Sequence, residues 1–239
     1  MRLYTAAFVT AFLAAVSGAS SLSAQTTVPY DHVHLAAPDQ AAAVAWYQKM
    51  FGGETLAEGK DRLMYGTTRF IWLKSDTAGP SADTAIDHIA FSVADKAPGF
   101  TTDPWGVKIE IVNDPKLRGF HHVHLRSTDP ATSLKWYQQR FGGEPTKYKG
   151  ADALKYGGML VMIEKSATAP TPSLGRALDH LGWRITDLDR TLADLKGIKV
   201  LQGVTNLQLA TGPVRYSFVE DPGGVKIELV QRQVSAVQR

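Results

Sequence analysis

Histidine followed two residues later by histidine occurs twice in this chain, as His32 and His34 in DHVHL and as His122 and His124 in HHVHL. Two more histidines sit in IDHIAFSV (His88) and LDHLGWRI (His180). Two glutamates sit in near-identical closing stretches, DPWGVKIEIV (Glu110) and DPGGVKIELV (Glu228). Two imidazoles and one carboxylate form a ligand set that leaves coordination positions open for a substrate. Side chains of a strand alternate faces. Ile89, Phe91 and Val93 therefore oppose His88, and Leu181, Trp183 and Ile185 oppose His180. The same alternation sets Val33 and Leu35 against His32 and His34, Val123 and Leu125 against His122 and His124, and Ile227 against Glu228. Three strands in each half thus put His, His and Glu on the face away from the apolar side. A curled sheet would bring them together around a metal; a flat one would leave them as a solvated polar face.

The elements that must position these residues are written twice. WYQKMFGGE follows the first His-x-His pair and WYQQRFGGE the second, and the likeness continues to both closing strands. The two units run from 27 to 114 and from 116 to 231, followed by a tail at 232–239. The offset between them is 90 residues at His32 and His122, 92 at His88 and His180, and 118 at Glu110 and Glu228, so the second unit holds 26 residues that the first lacks. That extra stretch reads as a helix from Asp187 to Lys196, closed by Gly197, and strands around Val200 and Tyr216. Asp39 and Asp129 are placed as N-caps of the two aromatic helices. Pro130 occupies a first-turn position. Val44, Tyr47 and Phe51, like Leu134, Tyr137 and Phe141, form an apolar stripe, and Gly52 and Gly142 end the helices. Two such helices among many strands indicate an α+β fold with antiparallel or mixed sheets.

These motifs resemble the vicinal oxygen chelate superfamily, which includes glyoxalase I, extradiol dioxygenases and bleomycin-resistance proteins. The resemblance rests on H-x-x-L-x-x-x-D before a Trp-Tyr helix, the D-H-I/L strand, and the closing D-P-x-G-x-x-I-E. It implies tandem paired βαβββ modules that form cup-shaped mixed sheets around one divalent metal ion, Fe, Mn, Ni or Zn, with the first unit truncated. It also implies a small substrate with two adjacent oxygens and lyase, isomerase or ring-cleaving oxygenase chemistry. Carried over residue by residue, the ligands fall on His122, His180 and Glu228, with His32, His88 and Glu110 as the secondary set. Because the second unit is complete, the working site is expected at His122, His180 and Glu228. Glu164 stands where glyoxalase-like members place a further glutamate. His124, Arg184 and Tyr216 are further candidates for proton transfer or substrate contact. A metal-free binding protein of the bleomycin-resistance type is the alternative, and a homodimer is compatible with the fold.

The composition narrows the other classes. There is no cysteine among the 239 residues, which excludes disulfides, thiolate nucleophiles and Cys-ligated metals. Twenty-six Lys and Arg against 23 Asp and Glu give a formal charge of +3 without a basic run, so nucleic-acid binding is not expected. No Gly-x-Ser-x-Gly elbow and no phosphate-cradling glycine loop occurs. Arg2, the apolar run from Ala6 to Val16 and the small residues up to Ala24 have the layout of a secretory signal peptide over 1–24. Export to the periplasm or the extracellular space is therefore expected, with no membrane span left after cleavage.

Overall fold

A computed structural model describes residues 27–209 and 212–232 of the chain. The expected signal peptide, and the tail beyond Arg232, lie outside the described residues. The first half contains β1 (Tyr30–Ala37), α1 (Gln40–Phe51), β2 (Glu54–Leu56), β3 (Gly59–Tyr65), β4 (Thr68–Lys74), β5 (Ile86–Ser92), β6 (Gly99–Thr102) and β7 (Lys108–Val112). The second contains β8 (Gly119–Ser127), α2 (Pro130–Phe141), β9 (Glu144–Tyr148), β10 (Ala151–Tyr156), β11 (Met159–Lys165), β12 (Leu178–Arg184), α3 (Leu188–Asp194), β13 (Lys199–Leu209), β14 (Gly212–Glu220) and β15 (Lys226–Arg232). The fold is α+β, as the pattern of helices and strands implies.

Two mixed sheets result, in the orders β13-β14-β15-β12-β1-β4-β3-β2 and β6-β7-β5-β8-β11-β10-β9. Each sheet draws on both halves of the chain. The joins are antiparallel pairs, β1 with β12 in one sheet and β5 with β8 in the other. The strands flanking each join are parallel to it: β4 beside β1 and β15 beside β12, β7 beside β5 and β11 beside β8.

The helices lock the two sheets together. Asp39 and Asp129 cap them by accepting from the Ala42 and Thr132 amides. Phe51 of α1 stacks on Phe91 of β5 at 4.2 Å, and Phe141 of α2 on Trp183 of β12 at 4.5 Å. Val33, Leu35, Ile89, Val123 and Leu181 are fully or almost fully buried in the same core. Burial of such side chains stabilises by roughly 1.5–3 kcal/mol each relative to exposure. Tyr47 donates to Asp103 at 2.9 Å and Tyr137 to Asp221 at 2.7 Å, tying each helix to the loop before a closing strand.

The unequal halves have an unequal outcome at the closing strands. In the second half β13 and β14, of 11 and 9 residues, rise as a long antiparallel pair beside β15. In the first half only the four residues of β6 stand beside β7. Phe218 of β14 and Phe100 of β6 occupy matching places, opposite Glu228 and Glu110 respectively. The extra helix spans Leu188–Asp194, capped by Asp187, and so ends two residues short of the predicted Lys196.

Candidate metal centre

The histidines are positioned by four bulges at the two joins. Tyr30 and His32 pair with Trp183 and Gly182, so Asp31 is left without a partner; Asp179 is likewise skipped between His180 and Leu178. At the other join the skipped residues are Asp87 and His121. A bulge inserts one residue, twists the strand and re-aims a side chain. Here each extra residue directly precedes a histidine, and its side chain reaches the Nδ1 of that ring. Simple alternation would send neighbours to opposite faces, so the bulge is what allows the contact.

His32, His34, His180 and Glu228 form one cluster, with a ligand atom from each lying within 4.8 Å of the others. Glu228 Oε2 is 3.1 Å from His32 Nε2 and 3.2 Å from His180 Nε2. Two ligands each ~2.1 Å from one ion stand roughly 3.0–3.4 Å apart, so this spacing fits a shared metal. Behind the rings, His32 Nδ1 meets Asp31 at 2.9 Å and His180 Nδ1 meets Asp179 at 2.5 Å. A carboxylate at Nδ1 holds the proton there and leaves the Nε2 lone pair free for a metal. Arg184 donates to Asp31 at 3.0 Å through Nε, with Arg69 at 3.4 Å and Arg232 at 3.5 Å. Lys226 reaches Asp179 at 2.7 Å. His34 stacks on His180 with ring centres 4.1 Å apart.

The electrostatics of the cluster suit a cation. Burial opposes charge on His32, yet Glu228 and Asp31 outweigh it and raise its pKa to about 9. Burial also disfavours ionised Glu228, but His32 and His180 hold it well below the usual carboxylate range. Burial and the neighbouring His180 and His32 push His34 well below the ordinary histidine value. The buried His32 Nε2 and His34 Nδ1 have no hydrogen-bond partner. Unpaired nitrogens converging on a buried carboxylate are costly in a protein interior unless something positive sits among them.

His88, His122, His124 and Glu110 repeat the arrangement in the other sheet. Glu110 Oε2 lies 3.4 Å from His88 Nε2 and 3.2 Å from His122 Nε2. His88 Nε2, His122 Nε2 and His124 Nδ1 are buried and unpartnered. Asp87 meets His88 Nδ1 at 2.6 Å and is itself held by Lys108 at 2.6 Å. At His122 the backing group changes: His121 Nδ1 meets His122 Nδ1 at 2.8 Å, and His121 Nε2 meets Asp114 at 3.3 Å. Asp87 and Glu110 outweigh burial and raise the pKa of His88, whereas burial takes His122 down to about 4 and His124 to about 3.

The predicted working trio is therefore divided between sheets. His180 and Glu228 meet His32, while His122 meets His88 and Glu110. The reason is the crossed pairing: the first strand of each half joins the D-H strand of the other half, so each cluster takes its leading histidine from across the chain. Glu164 lies on β11, half-buried, 3.5 Å from Arg126 in the seven-stranded sheet, away from His180 and Glu228. His124 belongs to the His122 cluster. Arg184 points behind His32 onto Asp31. Tyr216 does line the cavity in front of His180 and Glu228.

That cavity, about 760 Å³, has Ile71 and Trp72 of β4 on one wall and Leu207, Val214, Tyr216 and Phe218 of the β13–β14 pair on the other. Sequence reasoning did not assign the backing residues Asp31, Asp87 and Asp179. Their signal is an aspartate immediately before the leading histidine in three of the four places, DHVH, IDHI and LDHL, with HHVH as the exception.

Residues 119–229 match the family model described as Glyoxalase/Bleomycin resistance protein/Dioxygenase superfamily. No curated protein matches the chain. Among solved structures, glyoxalase I from Zea mays is similar at a TM-score of 0.63 and 17% identity, covering 86% of this chain and 92% of that one. A putative dioxygenase from Bacillus subtilis is similar at 0.56 and 15%, covering 87% and 86%. Those likenesses concern the fold, and the family match covers the β8–β15 stretch that supplies His180 and Glu228. The second half, residues 119–229, thus matches the vicinal oxygen chelate superfamily, of glyoxalase, bleomycin-resistance and dioxygenase type, and the fold of the chain as a whole is similar to that of glyoxalase I and of a putative dioxygenase.

Proposed function

We propose that the chain is a divalent-metal-dependent enzyme acting at the His32–His180–Glu228 cluster on a small compound with two adjacent oxygens. The observation that carries this reading is the convergence of His32 Nε2 and His180 Nε2 on Glu228 Oε2, with both of these rings fixed from behind by an aspartate and the buried His32 Nε2 left without a hydrogen-bond partner. A divalent ion bound there supplies Lewis acidity to the paired oxygens of a substrate. His32, His180 and Glu228 are the residues that would hold it, with His34 as a fourth donor. Asp31 and Asp179 keep the protons on Nδ1, so the rings present lone pairs. The aromatic and aliphatic side chains of the β13–β14 pair line the cavity in front of the cluster and lower the polarity there, which strengthens electrostatic interactions beside them. Tyr216 offers a hydroxyl within that wall. Glu110, whose strand has only the four residues of β6 on its outer side, lies at the less covered cluster, which makes the His32 cluster the better shaped for chemistry.

The identity of the metal would divide the reaction types: iron would suit oxygen-dependent ring cleavage, and nickel, zinc or manganese would suit isomerisation or lyase chemistry. Metal analysis of the purified chain and its His180→Ala variant tests the proposal. Bound metal in the wild type, reduced in the variant, is expected. Absence of binding after incubation with Fe(II), Mn(II), Ni(II) and Zn(II) would leave a metal-free binding protein in its place. Export, with cleavage near Ala19 or Ala24, is part of the same proposal; N-terminal sequencing of the expressed protein checks it, and a chain that keeps residues 1–24 would contradict it.

A further inference from the structure

The two clusters differ at one backing position. His180 and His88 are each backed by an aspartate held by a lysine, Lys226 and Lys108. His32 is backed by Asp31, but His122 is backed by His121. The tautomers at His121 follow from its partners. Asp114 accepts from His121 Nε2–H, so neutral His121 presents a bare Nδ1, which accepts from His122 Nδ1–H. His122 Nε2 is then left with a lone pair facing Glu110, and the second cluster is also built to take a cation. Its backing acceptor is a neutral imidazole where the first cluster has an anion. A carboxylate raises the donor strength of the ring it backs more than a neutral acceptor does.

The surroundings point the same way. The Glu228 side chain is 12% exposed and that of Glu110 22%. Phe218 stands over His180 within the β13–β14 wall, whereas Phe100 stands over His88 and is 61% exposed.

We infer that the chain holds two metal ions of unequal affinity, and that the bulge residue before the leading histidine sets their order. Asp31 makes His32–His180–Glu228 the tight site; His121 makes His88–His122–Glu110 the weak one. This rests on the metal reading above for the first cluster only. Asp31 and His121 act through the ligands they back, as positioning residues.

Cobalt(II) titration of the metal-free full chain, followed by calorimetry and visible absorption, tests it. Two equivalents are expected, the tighter lost in Glu228→Gln and the weaker lost in Glu110→Gln. Asp31→Asn should weaken the tighter step about 10–100-fold and leave the weaker one alone. His121→Ala should weaken the second step by a similar factor. His121→Asp should tighten it and change its cobalt spectrum, since a side chain of that length makes the same bond in the first cluster. Should Asp31→Asn fail to fold with its arginines unpaired, the two His121 variants carry the test. A single equivalent removed by Glu228→Gln overturns the second site and spares the proposed function. Metal retained only at Glu110 overturns the proposed function as well as the order of affinities. Equal steps, or steps that the Asp31 and His121 variants do not move, overturn the role of the bulge residues.

Discussion

Gly182 shows how tightly the first cluster is fitted. It pairs directly with His32 across the join, and a Cβ built there would fall 2.1 Å from Cε1 of the imidazole. The corresponding neighbour of His122 is Ala90, which has a Cβ, so the two rings cannot lie on their partner strands in the same way. Gly182→Ala should push His32 out of line with Glu228. Because the ring is buried and held by Asp31, it has little room to yield; overpacking of this kind costs about 1–3 kcal/mol. The expected result is a drop of about tenfold or more in metal affinity at the His32 cluster. Metal titration of the folded variant checks this, and unchanged affinity would show that the ring has another place to go. A second residue-scale prediction concerns Asp103, whose pKa burial raises. The folded protein holds this proton more tightly than the unfolded chain, so the group favours the fold in acid and loses that contribution as pH rises through its folded pKa. Asp103→Asn keeps an acceptor for the Val107 amide but does not titrate. Its stability relative to wild type should therefore be best near pH ~7 and fall behind as pH drops towards ~4. Paired denaturant melts across that range check the sign, and a gap that closes in acid contradicts it.

At the scale of the element, the β13–β14 pair is a wall, and among the described residues the side-chain hydrogen bonds of Asp31 and Asp179 go to residues of other elements. Replacing residues 200–217 with a short turn should therefore leave metal bound while opening the cavity. The expected signature, once a substrate is known, is a raised KM and lower kcat with metal content unchanged; loss of the metal would mean that the wall also holds the ligands. The aromatic helices were legible in the sequence because their signals are local: Asp39 and Asp129 as caps, Pro130 at the start, Gly52 and Gly142 at the end. Which face His88 and His180 take was legible from strand alternation. The grouping of the ligands was not, because it depends on pairing β1 with β12, whose partners such as Leu35 and Leu178 lie far apart in the chain, and β5 with β8 across the boundary between the halves, and no local pattern encodes that choice. The bulges were hidden for a related reason. An unpaired Asp31 or Asp87 reads as an ordinary strand residue until its partner strand is known.

Across the whole molecule, the crossing of halves makes each cluster a joint product. Cutting the chain near Pro115 yields pieces of which neither contains His32, His180 and Glu228 together. The first piece alone should not bind metal as the intact chain does, and mixing the two pieces should restore binding; size-exclusion chromatography with metal analysis checks this. Restored binding without association of the pieces would contradict the crossed topology. No helix among the described residues is long and apolar enough to cross a membrane.

The shortened first half also acquires a different meaning from this crossing. A second-half piece that pairs with a copy of itself, β8 against β12, would assemble His122, His180 and Glu228 in one cup. That is the trio the sequence pattern suggested, and it would belong to a symmetric dimer of identical subunits. In a single covalent chain the two cups need no longer be alike: one wall can be trimmed and one backing aspartate exchanged for histidine while the other cup stays whole. Fusion of the halves thus frees one cup to drift in shape and affinity, under no obligation to mirror its twin.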